Sequence, residues 1–458
     1  MNYRLLLYTL SLIACFHVSL AQDYEEEKLI IDTFLHEEYS ENKPGAAVLI
    51  AKGDKIIYKK AFGLANVKKK KPLETDMIFQ LGSMSKQFTS AAVLQLVEQN
   101  KVSLNDKIQQ YVDYYPPKEY EITIEHLLSQ TSGIPNFFDV DEDELRLLSQ
   151  EHTPQQLIEY YADQPLLFEP GTQFQYSNSN YPLLGVAVEK VSGLTLEEYL
   201  AKNIFQPLGM KSTNLWYRED FKKKRIAQGY RFEDGKFVRS PKVVGSVVYA
   251  AGGIVSTVDD LLTWNRALQN RTHLSDTIVK QLTTEKTTTD GTGTGYGYGF
   301  FIGELHSYKT VEHGGLLYGF TCDALYIPEE DIFVCVLTNK SRERPEEVAD
   351  YLASIILGEP INILSKSALN YEEKKEYLGT YQMVDGAKKI IEIKFVDDLV
   401  MVYFPKAPGT EVEIKATDDD TFESVTANIE MIFSRDDTGK IVGFTAEQGG
   451  TSEWTKIE

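Results

Sequence analysis

The stretch Phe79-Gln80-Leu81-Gly82-Ser83-Met84-Ser85-Lys86-Gln87-Phe88 decides how the rest of this sequence is read. A glycine precedes a serine, and residues 83–100 follow the pattern of a long, mostly apolar helix. Residues three apart on a helix share a face, so Ser83 and Lys86 meet, whereas Ser85, adjacent to Lys86, is poorly placed to do so. A serine hydroxyl is a weak nucleophile at neutral pH and needs a base within hydrogen-bond reach. Lysine can serve when burial or a cationic neighbour lowers its pKa. The start of a helix adds backbone N–H donors and a positive dipole end for a developing anion. Taken alone, the pattern reads more simply as a capped helix with a solvated lysine, so it needs companions.

Two further stretches supply them. Phe168-Glu169-Pro170-Gly171 leads into Tyr176-Ser177-Asn178-Ser179-Asn180-Tyr181, a polar and aromatic loop ahead of an apolar helix. Val311-Glu312-His313-Gly314-Gly315 ends a strand-like run with a basic residue and two glycines that let a substrate backbone approach. No Gly-x-Ser-x-Gly elbow occurs, which argues against an α/β-hydrolase.

Around these motifs, residues 25–62 alternate a charged amphipathic helix with apolar runs at 46–51 and 55–62, separated by the hairpin signal Gly53-Asp54. Helical patterns follow near 122–129, 153–163, 181–202 and 257–269. Strand-like runs return at 297–303, 308–312, 320–327 and 332–339. Strands at both ends with helices between predict one sheet closed by both termini of the domain. Beyond Gly358-Glu359-Pro360, and from about Tyr377, the pattern turns to period two, with turn signals at Asp397-Asp398, Pro408-Gly409, 418–420 and Asp437-Thr438-Gly439. That predicts a separate antiparallel barrel or sandwich. The expected division is a signal peptide at 1–21, a main domain at 22–365 and a β-rich accessory domain at 366–458.

Ser83-x-x-Lys86, Tyr176-x-Asn178 and His313-x-Gly315, in that order, resemble the three motifs of the serine β-lactamase-like superfamily. That superfamily includes class C β-lactamases, penicillin-binding DD-peptidases, D-amino-acid peptidases and β-lactamase-fold esterases. The resemblance covers about 25–355, and the stretches 126–135, Pro207-Leu208-Gly209-Met210 and 252–257 also look like the family. Gln130 departs from it, standing where relatives usually carry His. The resemblance implies an α/β (α+β) fold, an antiparallel sheet flanked by helices with an all-helical subdomain, while Tyr377-Leu378-Gly379-Thr380-Tyr381 looks like the start of a lipocalin-like β-domain.

It also implies roles. Ser83 would be acylated, Lys86 would take its proton and Tyr176 would relay a proton to the leaving group. Asn178 would hold the lysine and bind a substrate carbonyl, and His313 would orient Tyr176 or a substrate carboxylate. Gly314 and Gly315 would border the substrate, and the backbone N–H groups of Ser83 and Leu316 would form the oxyanion hole. No metal or cofactor is implied. Where many relatives carry a permanent lysine cation, His313 titrates near neutrality and would be a weaker, pH-dependent anchor. The expectation is therefore an esterase or a D-amino-acid amide or peptide hydrolase of the D-Ala-D-Ala carboxypeptidase type. A β-lactamase, or a non-catalytic envelope protein that binds peptidoglycan or a partner, is the alternative.

The amino terminus, MNYRLLLYTLSLIACFHVSLAQ, places Arg4 before an apolar run and the small residues Ser19 and Ala21 before Gln22, as in a signal peptide. Leu12-Ile13-Ala14-Cys15 offers a second reading, a lipobox that would tether the mature protein to a membrane through Cys15. An exported protein, periplasmic or secreted, is expected, with small-molecule or peptide substrates such as peptidoglycan stem peptides. The whole chain carries 47 Lys+Arg against 68 Asp+Glu, a net charge of −21, and such a surface repels nucleic acid and anionic membranes. Cys322 and Cys335 are read as packed free thiols ahead of a disulfide. Gly295-Tyr296-Gly297-Tyr298-Gly299 reads as strand and not as a phosphate cradle, because no Lys-Ser/Thr follows.

Overall fold

The computed structural model describes residues 24–457 apart from 140–149, 217–224, 234–235, 242, 342–343, 362–374, 385–388, 397–398, 406–411, 419, 425–428 and 448–450. The expected signal peptide, Cys15, the 365/366 boundary and the turns at Asp397-Asp398 and Pro408-Gly409 lie outside the described residues. The rest falls into two compact units, one holding the described residues up to Arg231 and from Arg239 to Ile361, the other Phe232–Val238 and the described residues after Asn362.

The first unit is organised by α1 (Glu25–Glu38), β1 (Ala46–Lys52), β2 (Lys55–Ala61), α2 (Ser85–Glu98), α3 (Asn180–Ser192), α4 (Gly245–Gly252), α5 (Val258–Asn270), β3 (Phe301–Leu305), β4 (Tyr308–Leu317), β5 (Phe320–Ile327), β6 (Ile332–Thr338) and α6 (Pro345–Leu357). The strands form one antiparallel sheet in the order β3-β4-β5-β6-β1-β2. β1 pairs with β6 from Ala46↔Thr338 to Lys52↔Ile332, so strands from the two ends of the unit close the sheet, as the pattern predicted.

β1 is apolar on both faces because both faces are covered. Ala47, Leu49 and Ala51 join the core shared with α2, whereas Ala46, Val48 and Ile50 pack with Ile31 and Leu35 of α1 and Leu352 and Ile356 of α6. β6 divides the same way, Phe333, Cys335 and Leu337 joining the first core on the side where α5 packs and Val334 and Val336 the other. Cys322 and Cys335 are buried free thiols.

Three boundaries differ from expectation. The helix read over 181–202 stops at Ser192, where Gly193 caps it with φ +71°, and restarts as Leu196–Leu200. The first strand of the second group begins at Phe301 instead of 297, and Tyr296 and Tyr298 are buried in the turns before it. β4 continues past Glu312 to Leu317 and so carries His313 and both glycines within the sheet.

The second unit contains a closed eight-stranded antiparallel barrel, Gly379–Met383, Ile390–Val396, Leu399–Tyr403, Val412–Asp418, Thr421–Ser424, Ile429–Arg435, Ile441–Glu447 and Thr451–Lys456. Its first and last strands pair through Tyr381↔Lys456, Gln382↔Thr455 and Met383↔Trp454. Eight strands leave an interior that side chains can fill. Tyr377, Tyr381, Phe422, Phe433 and Phe444 belong to that core.

Candidate active site

A short 3₁₀ turn, Gly82–Met84, leads directly into α2 and presents Ser83 half-buried. Glycine is required at 82: φ is +52°, and a Cβ there would sit 2.8 Å from the Leu316 carbonyl oxygen and 2.9 Å from its nitrogen. On β4, a Cβ on Gly315 would lie 1.9 Å from the Leu81 carbonyl oxygen. A missing side chain on each partner thus lets the nucleophile turn press onto the strand. The Leu316 backbone comes beside Ser83, where an oxyanion hole needs it, while the Leu316 side chain is 67% exposed.

Lys86 is fully buried, with Nζ 3.1 Å from Ser83 Oγ, 2.8 Å from Asn178 Oδ1 and 2.9 Å from the Ala251 carbonyl oxygen. Among the described residues these hydrogen-bond partners are all uncharged, and burial pushes the Lys86 pKa well below the ordinary lysine value. That is the state a general base requires. The Ala251 contact was not foreseen from the sequence. It depends on Tyr249, whose φ of +29° kinks α4; Ala250 and Ala251, just beyond the kink, turn their carbonyls to Thr89 and Lys86 of α2. A tyrosine in that conformation is strained, and the surrounding packing must hold it there.

Asn178 and Tyr176 come from the loop ahead of α3. Asn136 Oδ1 accepts hydrogen bonds from the Asn178 backbone N–H and side-chain amide, both at 3.3 Å. Gln130 is buried at φ +61°, and its Oε1 accepts from the Ser177 N–H at 3.0 Å and from the Asn180 amide at 2.5 Å. The residue that departs from the family pattern therefore fastens the Tyr-Ser-Asn loop. The Tyr176 hydroxyl is buried close to the Ser83 hydroxyl, and its ring lies 4.9 Å from Lys86 Nζ. Burial raises the phenol's pKa strongly, offset in part by the neighbouring Ser83 hydroxyl, so Tyr176 holds its proton.

His313 corrects the expectation of a group titrating near neutrality. It is 2% exposed, and burial above all pushes its pKa down to about 3, with Lys86 adding repulsion whenever that amine is protonated. Nδ1 lies 2.6 Å from the Gly314 carbonyl oxygen, which can only accept, so Nδ1 carries the hydrogen. Nε2 then accepts from the Tyr296 hydroxyl at 3.3 Å. The ring hydrogen-bonds neither Tyr176, 6.1 Å away between centroids, nor any cationic partner among the described residues. Tyr296, missed because its Gly-Tyr-Gly-Tyr-Gly setting reads as strand, is the contact that holds His313.

The structure brings Ser83, Lys86, Tyr176, Asn178, His313, Gly315 and the Leu316 backbone together. Gly314 is the exception: strand alternation turns it to the opposite face, where a Cβ would meet Asp323 Oδ1 at 3.5 Å. Ser85 is also excluded, since its buried hydroxyl accepts the Ile254 N–H at 3.0 Å.

Protein flp of Staphylococcus aureus strain MW2 is 27% identical over 332 residues, 71% of this chain, which spans 66% of that protein's length. The octameric penicillin-binding protein homologue from Pyrococcus abyssi superposes with a TM-score of 0.67 and 27% identity, covering 94% of this chain and 99% of that one. D-amino acid amidase from Ochrobactrum anthropi SV3, at 22% identity, shares the fold with a TM-score of 0.65 over 73% of this chain and 99% of its own. The family model described as Beta-lactamase matches residues 30–357, and the chain belongs to that family.

Proposed function

We propose that this chain is an exported serine hydrolase that forms an acyl-enzyme at Ser83 and acts on an ester or on a D-amino-acid amide or peptide bond. The observation that carries the reading is the buried Lys86 amine, 3.1 Å from Ser83 Oγ with its pKa depressed by burial. Neutral Lys86 takes the Ser83 proton as Oγ bonds to the substrate carbonyl carbon. The N–H groups of Ser83 and Leu316 receive the negative charge that develops on the carbonyl oxygen. Tyr176, still protonated, gives its proton to the departing alcohol or amine and recovers one from Lys86. Water then cleaves the acyl–Ser83 ester by the reverse proton path. Export rests on the residues before Gln22, with periplasmic or secreted placement and a lipid tether if processing occurs at Cys15. The fold it shares with D-amino acid amidase supports the amide reading.

The test is covalent labelling of the full chain with a fluorescent fluorophosphonate. Wild type should label and Ser83→Ala should not. Equal labelling of both, or none of either, would sink the proposal.

A further inference from the structure

Among the described residues, the rings packed around His313 are those of Tyr176, Tyr296 and Phe301. Phe301, half-buried, stacks on Tyr176 with ring centroids 6.0 Å apart and an interplanar angle of 16°, and lies 5.1 Å from the His313 ring. Tyr296 packs edge-on against Phe301 at 4.9 Å, and Phe174 lies 5.8 Å from Tyr296. Both His313 nitrogens are engaged, Nδ1 by the Gly314 carbonyl and Nε2 by Tyr296, so the ring offers a ligand no N–H. The buried amine at the centre, Lys86, is committed to Ser83, Asn178 and Ala251. Glu312 is the neighbour of His313 along β4, and strand alternation sends it to the opposite face.

If Tyr176 protonates the leaving group, that group sits beside Tyr176 and therefore against the half-buried Phe301, which the buried His313–Tyr296 pair backs. A carboxylate placed there would lose water and meet the ring faces of Phe301 and Tyr176, which carry negative potential, and the Tyr176 hydroxyl, committed to the leaving atom, would not replace that water. An uncharged apolar group would gain contact area at no such cost. We infer that Phe301, Tyr296 and His313 make this side of the site select substrates whose departing alcohol or amine is uncharged and apolar, and reject those in which it bears a carboxylate. Phe301 is a specificity-determining residue, and Tyr296 positions His313. The inference rests on the reading of Ser83 as nucleophile, and the experiment separates the two.

Two acetate esters that differ only in the leaving group provide the test, 3-acetoxybenzamide and 3-acetoxybenzoate. Each kcat/KM is divided by the ester's rate with hydroxide, which removes their intrinsic difference. The amide-bearing phenol should be favoured by roughly tenfold or more, the scale of an uncompensated desolvation. Phe301→Lys, at a half-buried position that can hold a charge, should narrow the ratio by about tenfold. Equal values, or preference for the carboxylate in wild type, would overturn the inference while leaving Ser83 as nucleophile. Narrowing absent in a folded Phe301→Lys protein would overturn the role of Phe301, and the wild-type ratio decides the rest if that variant does not fold. Turnover of neither ester overturns the nucleophile reading and the inference with it.

Discussion

Glu312→Gln should stabilise the first unit at pH 8 and not at pH 4.5. Glu312 lies on the face of β4 away from Ser83, and burial together with Asp350 and Glu346 of α6 pushes its carboxyl up to about 7 from an ordinary 4.5. Asp323 of β5 stands in the same group, 1% exposed, with no partner for Oδ2 among the described residues and its pKa raised well above the usual carboxylate range. An acid whose pKa rises on folding binds its proton more tightly in the folded state. Its protonated form therefore favours folding fully below the unfolded value near 4.5, and that advantage is lost as pH climbs to about 7. The gap of roughly 2.5 units corresponds to about 3 kcal/mol of stability withdrawn between those limits. Glutamine keeps the shape of the protonated acid and cannot ionise. Urea unfolding followed by near-UV circular dichroism at pH 4.5 and pH 8 measures the difference, expected near zero at the lower pH and about 3 kcal/mol in favour of the variant at the higher. The same difference at both pH values, or a loss at pH 8, would refute the buried-cluster reasoning.

Two predictions concern the site. Because burial lowers the Lys86 pKa, the fluorophosphonate labelling rate should rise with pH and level off well below 10.5; Lys86→Arg, which cannot deprotonate, should label at least about a hundredfold more slowly, and a pH-independent rate would count against the base role. Gln130→Leu orphans the Ser177 N–H and the Asn180 amide, at about 1–3 kcal/mol for each buried donor, so Tm should fall and kcat should drop more than KM rises. A lowered Tm with unchanged kcat would show that the loop keeps its catalytic position without Gln130.

The parts of the site that could be read from the sequence are those set by local geometry. Ser83 and Lys86 are joined by helical spacing, and the apolar runs of β1 and β6 mark strands from both ends that close one sheet, whereas Gly315, read as room for a substrate backbone, makes room for the Leu81 carbonyl. The parts that could not be read depend on packing between distant segments. Nothing in the composition of Gly245–Gly252 signals that Tyr249 adopts a positive φ, yet the carbonyl that completes the Lys86 shell lies just beyond that kink. Tyr296 and His313 are 17 positions apart, and a Gly-Tyr repeat gives no indication of which ring turns inward. Charge state is the clearest case. A histidine's intrinsic pKa suggests a titrating anchor, but whether His313 ionises is decided by Lys86 and by the aromatic residues that exclude water from it, all from other elements of the fold. The same holds for Glu312, whose alternation with His313 along β4 looks like a solvated charge until α6 covers it with Glu346 and Asp350. One strand thus carries two ionisable neighbours whose pKa values burial drives in opposite directions, each toward its uncharged form: the base stays unprotonated beside the nucleophile, and the acid on the far face holds its proton up to about pH 7.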